Sequence, residues 1–232
     1  DTYVEGVHFL NFRNPDLVIK KIVRSSISDL YCKGVKPKFI FIGACGNNIS
    51  FSKKNMDLVY KSLKQEQKKY KFKLSGGDTT KSNKTVFTIT SLGYAKKIVQ
   101  RNKCKNNDDI YVTGNLGDSY LGLSILRKKS FLKNSKQRKY FIQKYYMPDI
   151  PLKIGSKLIK FASSSIDISD GLFADLSKLI NTSKLFFKLD LKKIPISSKL
   201  NAYLIKTNKK KINFISKGDD YQILFTSLKS NR

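Results

Sequence analysis

Residues 164–176 read SSIDISDGLFADL, and no other stretch constrains the fold as tightly. Ile166 and Ile168 fall on one side of an extended chain, Asp167 and Ser169 on the other. Beyond Asp170-Gly171 the apolar positions change to helical spacing. A strand over 164–169 therefore runs directly into a helix over 171–182. Ser169 is a good N-cap for that helix. Asp167, Ser169 and Asp170 then cluster where a buried strand ends and a helix begins. Two interpretations stay open: a helix N-terminus that gathers phosphate while carboxylates recruit Mg2+, or a capped turn with solvated aspartates. Asp175, further along the helix, is expected on the surface.

Strands alternate with helices along the whole chain. Asn14-Pro15 reads as an N-cap and first helical residue, with Leu17, Val18, Ile22, Val23, Ile27 and Leu30 at helical spacing and Gly34 closing the helix. A buried strand is expected at 38–45 and a helix at about 53–70. Two further strands follow, at 71–80, running into a glycine turn, and at 85–95. The polar segment 101–109 is the expected link between domains. Beyond it come a strand at 110–114, helices at 116–128 and 152–162, and strands at 186–191 and 221–226. The class is α/β or α+β in two domains, and 232 residues suffice for two cores.

Composition narrows the chemistry. A net charge of +29 raises nucleic acid as a partner, but the lysines are spread over the entire chain, so no specific nucleic-acid function is expected. One histidine argues against a Ser-His-Asp hydrolase or a histidine-rich metal centre. Three widely spaced cysteines fit neither a disulfide framework nor a zinc site. No run approaches 18 apolar residues and no leader is visible, so a cytoplasmic protein without a membrane span is expected. The acidic residues are 15 Asp and 2 Glu. Glu is the better helix former, so this preference suggests carboxylates kept for geometry, as oxygen-ligated metals require.

Several other turns repeat the pattern of the opening stretch. SGGDTT (75–80) places glycines beside Asp78; VTGNLGDS (112–119) places Asp118 at a helix start; KGDDYQILFT (217–226) places Asp219 and Asp220 at the mouth of a strand. Asp29 lies two positions after core-like Ile27, where an acid needs a partner or a cation. With no Walker A or protein-kinase motif, these turns suggest an unusual Mg-nucleotide site.

These segments, in this order, resemble the thiamine-monophosphate kinase family of the aminoimidazole ribonucleotide synthetase-like superfamily. The resemblance rests on DTYVEGVHF (1–9), SISDLYCKG (26–34), GGDTT (76–80), DDIYVTGNLGDSYLGL (108–123), SSIDISDGLFADL (164–176) and GDDYQILFT (218–226). It implies a PurM-like two-domain fold, α/β plus α+β. Residues 1–100 would form an ATP- and Mg-binding domain that pairs through its sheet in a homodimer. Residues 108–232 would form an incomplete C-terminal α+β domain. It also implies Mg2+ ligation by Asp1, Asp29, Asp78, Asp118, Asp167 and Asp170, and ATP contacts from Tyr60, Gly77, Asp78, Arg101 and Ser169. His8 and Asp219 would contact thiamine monophosphate. The implied reaction is in-line transfer of the γ-phosphoryl of ATP to thiamine monophosphate, with metal and electrostatic rather than residue-based acid–base catalysis.

Some positions depart from the family pattern. The acidic loop upstream of Asp1 and a C-terminal aromatic segment are lacking, so the chain is expected to be a fragment missing both ends. Lys217 and Gln222 replace a glycine and a glutamate of the last motif, and 101–109 lacks the usual glycines and proline. Two alternatives are a superfamily relative using ATP on another substrate, such as an amidine or selenide, and a non-catalytic basic protein that binds nucleic acid.

Overall fold

The computed structural model describes residues 1–155, 157–180 and 185–231. The chain divides into two compact units, Asp1–Leu30 with Lys36–Ala95, and Tyr31–Val35 with Lys96–Arg232.

The first unit is built on a four-stranded sheet ordered β1-β4-β2-β3, with β1 Thr2–Val4, β2 Phe39–Gly46, β3 Lys73–Lys81 and β4 Val86–Leu92. Helix α1 (Pro15–Tyr31) precedes β2, and α2 (Lys53–Tyr70) is the crossover that makes β2 and β3 parallel. α1 opens as expected, with the Leu17 and Val18 N–H groups on the Asn14 carbonyl. Its stop is a turn in which Gly34, at φ +83°, donates to Tyr31 O. Val18, Ile22, Val23 and Ile27 are fully buried. Arg24 reaches from α1 to Glu66 of α2 through two hydrogen bonds of 2.8 and 2.9 Å, all of it buried.

Two expectations change in this unit. β2 is half-buried rather than buried: Ile40 is inside while Phe41 is 39% exposed. One sheet face carries Tyr3, Ile40, Phe87 and Ile89 into the core. The other presents Phe41, Thr88, Thr90 and Leu92 outward. The glycines at 76–77 make no turn, because β3 runs straight through them. A register shift opposite Ile40/Phe41 leaves Ser75 as the extra residue of a bulge.

The second unit has an antiparallel sheet ordered β5-β7-β6, formed by β5 Asp109–Val112, β6 Ala162–Asp167 and β7 Ile223–Ser227. Its helices are α3 Asp118–Leu126, α4 Ser135–Tyr146, α5 Leu152–Gly155, α6 Leu172–Ile180, α7 Ser198–Thr207 and α8 Ile212–Ile215. Ile166, Ile168, Leu172, Leu176 and Leu179 meet Leu116, Ile215 and Leu224 in one core, as the 164–176 pattern required. The end of the expected helix at 181–182 lies outside the described residues. α3 packs closely on α4: a Cβ on Gly122 would stand 2.1 Å from Phe141 O.

Two further expectations fail here. The helix at 152–162 is only α5 and a 3-10 turn at Leu158–Lys160, with Ser156 outside the described residues. Residues 186–191 form no strand. Their alternation is real, since Phe187 and Leu189 pack on the core while Phe186 is 99% exposed, yet among the described residues no neighbouring strand supplies a ladder.

Candidate active site

In the first unit, β1 and the turn after it gather Asp1 and His8. Ser25 Oγ donates to the Tyr3 hydroxyl at 2.7 Å, and that hydroxyl donates to Asp1 Oδ2 at 2.9 Å. His8 Nδ1 accepts the Val4 N–H at 3.0 Å, which puts the neutral ring's proton on Nε2. The Tyr3 and His8 rings meet edge to face, 6.0 Å apart. Asp78 is exposed on β3, its Oδ1 taking the Thr79 N–H at 2.8 Å. Gly77 lies so close to β2 that a Cβ there would stand 2.0 Å from Ile42 O, so only glycine fits without moving the strand.

β1 and β3 are the two edges of this sheet. Asp1 and Asp78 therefore stand three strand spacings apart, roughly 14 Å along the sheet. Asp29 is exposed in the last turn of α1, and Tyr60 is 65% exposed on α2. Beside Gly77 and Asp78 opens a cleft of about 560 Å3, walled by Ile42, Leu74 and Phe87 of the sheet and Met56, Val59 and Leu63 of α2. Its walls are apolar and its rim carries the glycine–aspartate pair.

In the second unit, Asp167, Ser169 and Asp170 come together where β6 leads into α6. Asp167 is buried and Asp170 is exposed. The loop 217–221 locks against this turn. Asp219 N donates to Ser169 O at 3.0 Å and Tyr221 N to Ile168 O at 2.8 Å. A Cβ on Gly218 would fall 1.8 Å from Ser169 O. Asp219 and Tyr221 adopt φ of +71° and +50°, left-handed conformations that put a sharp bend on each side of Asp220.

Two expectations about the turn are corrected. Asp175 is not a surface residue; it has 0% exposure. It also does the capping assigned to Ser169: its Oδ2 accepts N–H groups from Asp170 at 2.9 Å and Gly171 at 3.0 Å, ahead of the first residue of α6. A carboxylate on the first turn can fold back onto its own helix N-terminus, where the free N–H groups and the dipole favour it. Lys178 pairs with both Asp175 and Asp170.

Asp118 stands apart from that turn and beside Asp220. It accepts hydrogen bonds from Ser197 Oγ at 2.7 Å and the Tyr140 hydroxyl at 2.8 Å. Burial pushes its carboxyl above the usual range, and the two hydroxyl donors oppose the shift. Burial first and Asp118 second push the Tyr140 hydroxyl up to about 12. Asp220, absent from the set the resemblance implies, is buried with its Oδ2 on Gly117 N–H at 2.7 Å. Burial pushes it up to about 8; the Gly117 and Ser119 N–H groups oppose this and Asp118 adds to it. The two aspartates, with Asn115, Lys144, Asp149 and Gln222, border a polar cavity of about 120 Å3. The one sequence signal for Asp220 was the GDD doublet, which does not say which aspartate faces inward. Arg101 is exposed in the loop before β5.

The donor set on these turns is carboxylate oxygen on short side chains, and hard oxygen donors of that kind suit Mg2+. Glycines that let backbone approach closely, aspartates beside them and an adjoining apolar cleft are features of a nucleotide-phosphate site.

The fold is that of the AIR synthase-related, PurM-like proteins. Residues 1–95 match the family model described as AIR synthase related protein, N-terminal domain. Thiamine-monophosphate kinase of Buchnera aphidicola (subsp. Schizaphis graminum) is 38% identical, over 100% of this chain and 71% of its own. The enzyme of the same name from Haemophilus influenzae is 33% identical, over 97% and 68%. A solved structure described as AaThiL complexed with AMPPCP and TMP superposes with a TM-score of 0.93 at 30% identity, covering 100% of this chain and 75% of that one. The chain belongs to the thiamine-monophosphate kinase family.

Proposed function

We propose that the protein transfers the γ-phosphoryl group of ATP to thiamine monophosphate, giving thiamine diphosphate and ADP, with Mg2+ as its metal. The observation that carries this reading is the interlocked turn and loop of the second unit. Residues 167–170 and 219 are held to each other by backbone hydrogen bonds, so a nucleotide contact at Ser169 and a substrate contact at Asp219 sit on one rigid support.

Gly77 and Asp78, beside the apolar cleft, serve the nucleotide together with Tyr60, Arg101 and Ser169. His8, carrying its proton on Nε2, donates to the thiamine monophosphate, and Asp219 contacts the same substrate. Asp1, Asp29, Asp78, Asp118, Asp167 and Asp170 are the candidate Mg2+ ligands; each Asp118 oxygen keeps one lone-pair direction beyond its hydroxyl donor. Bound Mg2+ supplies charge neutralisation on the phosphates. The accepting phosphate oxygen is already ionised near neutral pH, so the residues need to align two polyanions and no strong base is required.

Residues 1–100 form the ATP- and Mg-binding domain and 108–232 the C-terminal α+β domain. The outward sheet face with Phe41, Thr88, Thr90 and Leu92 is the surface on which a second copy pairs, giving a homodimer. Among the described residues no helix is long and apolar enough to cross a membrane; the compartment we propose for the enzyme is the cytoplasm. The test is thiamine diphosphate formation with ATP, Mg2+ and thiamine monophosphate as the variable substrate. Saturable formation is expected, and absence of product from folded protein refutes the reading.

A further inference from the structure

Asp220 lies between two residues in left-handed backbone, and its side chain is buried. Its carboxyl oxygen takes the N–H of Gly117 at 2.7 Å, and Ser119 N–H also bonds to it. These N–H groups open α3, which is clamped by Gly122 against α4 and by the Ser197–Asp118 bond to the start of α7. Asp220 thus ties a short loop to the packed start of α3. The other side of the loop is tied at Ser169 and Ile168. Asp219 and Tyr221 make the backbone anchors on either side of Asp220, and the third anchor depends on the single Asp220 side chain.

We propose that Asp220 is a positioning residue that fixes Asp219 for thiamine monophosphate by anchoring loop 217–221 to the N-terminus of α3; this rests on the assignment of Asp219 to that substrate. Without the anchor, the backbone bonds at 168–169 keep the loop attached, but the left-handed bends at 219 and 221 lose the buried pin between them, and the Asp219 carboxylate shifts together with its Tyr221 hydroxyl contact. Substrate recognition is then lost before nucleotide recognition, because Ser169 stays on its own strand end.

The test compares Asp220→Ala and Asp220→Asn with wild type in the full chain, reading KM for each substrate separately. The amide oxygen of Asn can still accept the Gly117 N–H. The expected result is a rise of about tenfold or more in KM for thiamine monophosphate in Asp220→Ala, with KM for ATP within about threefold. Asp220→Asn should lie within about threefold of wild type on both. In an Asp219→Ala background the effect of Asp220→Ala on that KM should vanish, since it acts through Asp219. Should Asp220→Ala fail to fold, Asp220→Glu carries the comparison. It keeps the acceptor but sets it one methylene further from the loop backbone, and should raise the same KM by displacing the loop. Equal rises in both KM values, or a lowered melting temperature with neither KM changed, would overturn the inference alone. An inactive wild type would overturn the functional reading and this inference with it.

Discussion

Removing the Asp175 carboxylate tests whether a buried acid, rather than Ser169, holds the strand-to-helix turn. Asp175→Ala leaves the Gly171 N–H, which is buried, and the Asp170 N–H, which is partly buried, without their acceptor. A buried orphaned donor costs roughly 1–3 kcal/mol, and loss of a helix cap about 0.5–2 kcal/mol. Taking about 2 for Gly171 and about 1 for Asp170, which water can partly serve, the variant loses about 3 kcal/mol. The exposed side of the Lys178 pairing adds little. In a chain of this size that corresponds to a fall of about 6–12 °C in Tm. Differential scanning calorimetry measures it, with Asp175→Asn as control; its amide oxygen keeps an acceptor, so a fall of about a third as much is expected. A loss below about 1 kcal/mol in Asp175→Ala would refute the argument and return the capping role to another group.

Asp78→Asn should abolish thiamine diphosphate formation while moving Tm by no more than about 1 °C, because the side chain is exposed and its oxygen contact to Thr79 N–H survives; retained turnover would remove Asp78 from the site. Glu66→Ala removes both carboxylate hydrogen bonds from the buried Arg24 guanidinium and should cost about 3–5 kcal/mol by urea unfolding, far more than a surface ion pair. Asp220 gives a pH signature. Its folded pKa, about 8, lies above the unfolded value of 3.8, so its contribution is fully present below the unfolded value and is lost as pH rises toward 8. Wild type should lose stability between pH 5 and 8 more steeply than Asp220→Asn, and parallel profiles would contradict this.

Most of the scaffold was legible because period and punctuation agreed. Helix α2 runs over the expected residues, and the isoleucines of 164–168 enter the core as their alternation demanded. The failures have specific physical sources. Residues 186–191 alternate like a strand, but alternation reports one-sided burial and says nothing about whether a ladder partner exists. Gly76-Gly77 reads as a turn from composition, whereas here glycine is needed for strand-to-strand approach in a bulged parallel pair. Asp175 was placed outside because a helical carboxylate is usually solvated. Its partners are N–H groups four and five positions earlier, a fold-back that hydrophobic spacing does not encode. Within the candidate site, the local cluster 167–170 could be read from a single segment. The pairing of Asp118 with Asp220 joins residues 102 positions apart and becomes visible only in the fold.

The first sheet also carries an order of assembly. β2 and β3 pair residues as near as Phe39 and Lys73, with α2 forming between them, whereas Thr2 and Thr88 meet across 86 positions. Loop-closure entropy grows with that separation, by about 0.6 kcal/mol for each doubling. The strand next to Asp1 and His8 is thus the most remote partner in this sheet and only three residues long. The glycine–aspartate edge can be secured early by a local crossover, while the opposite edge docks late and, in native-state hydrogen exchange, should be the first to open.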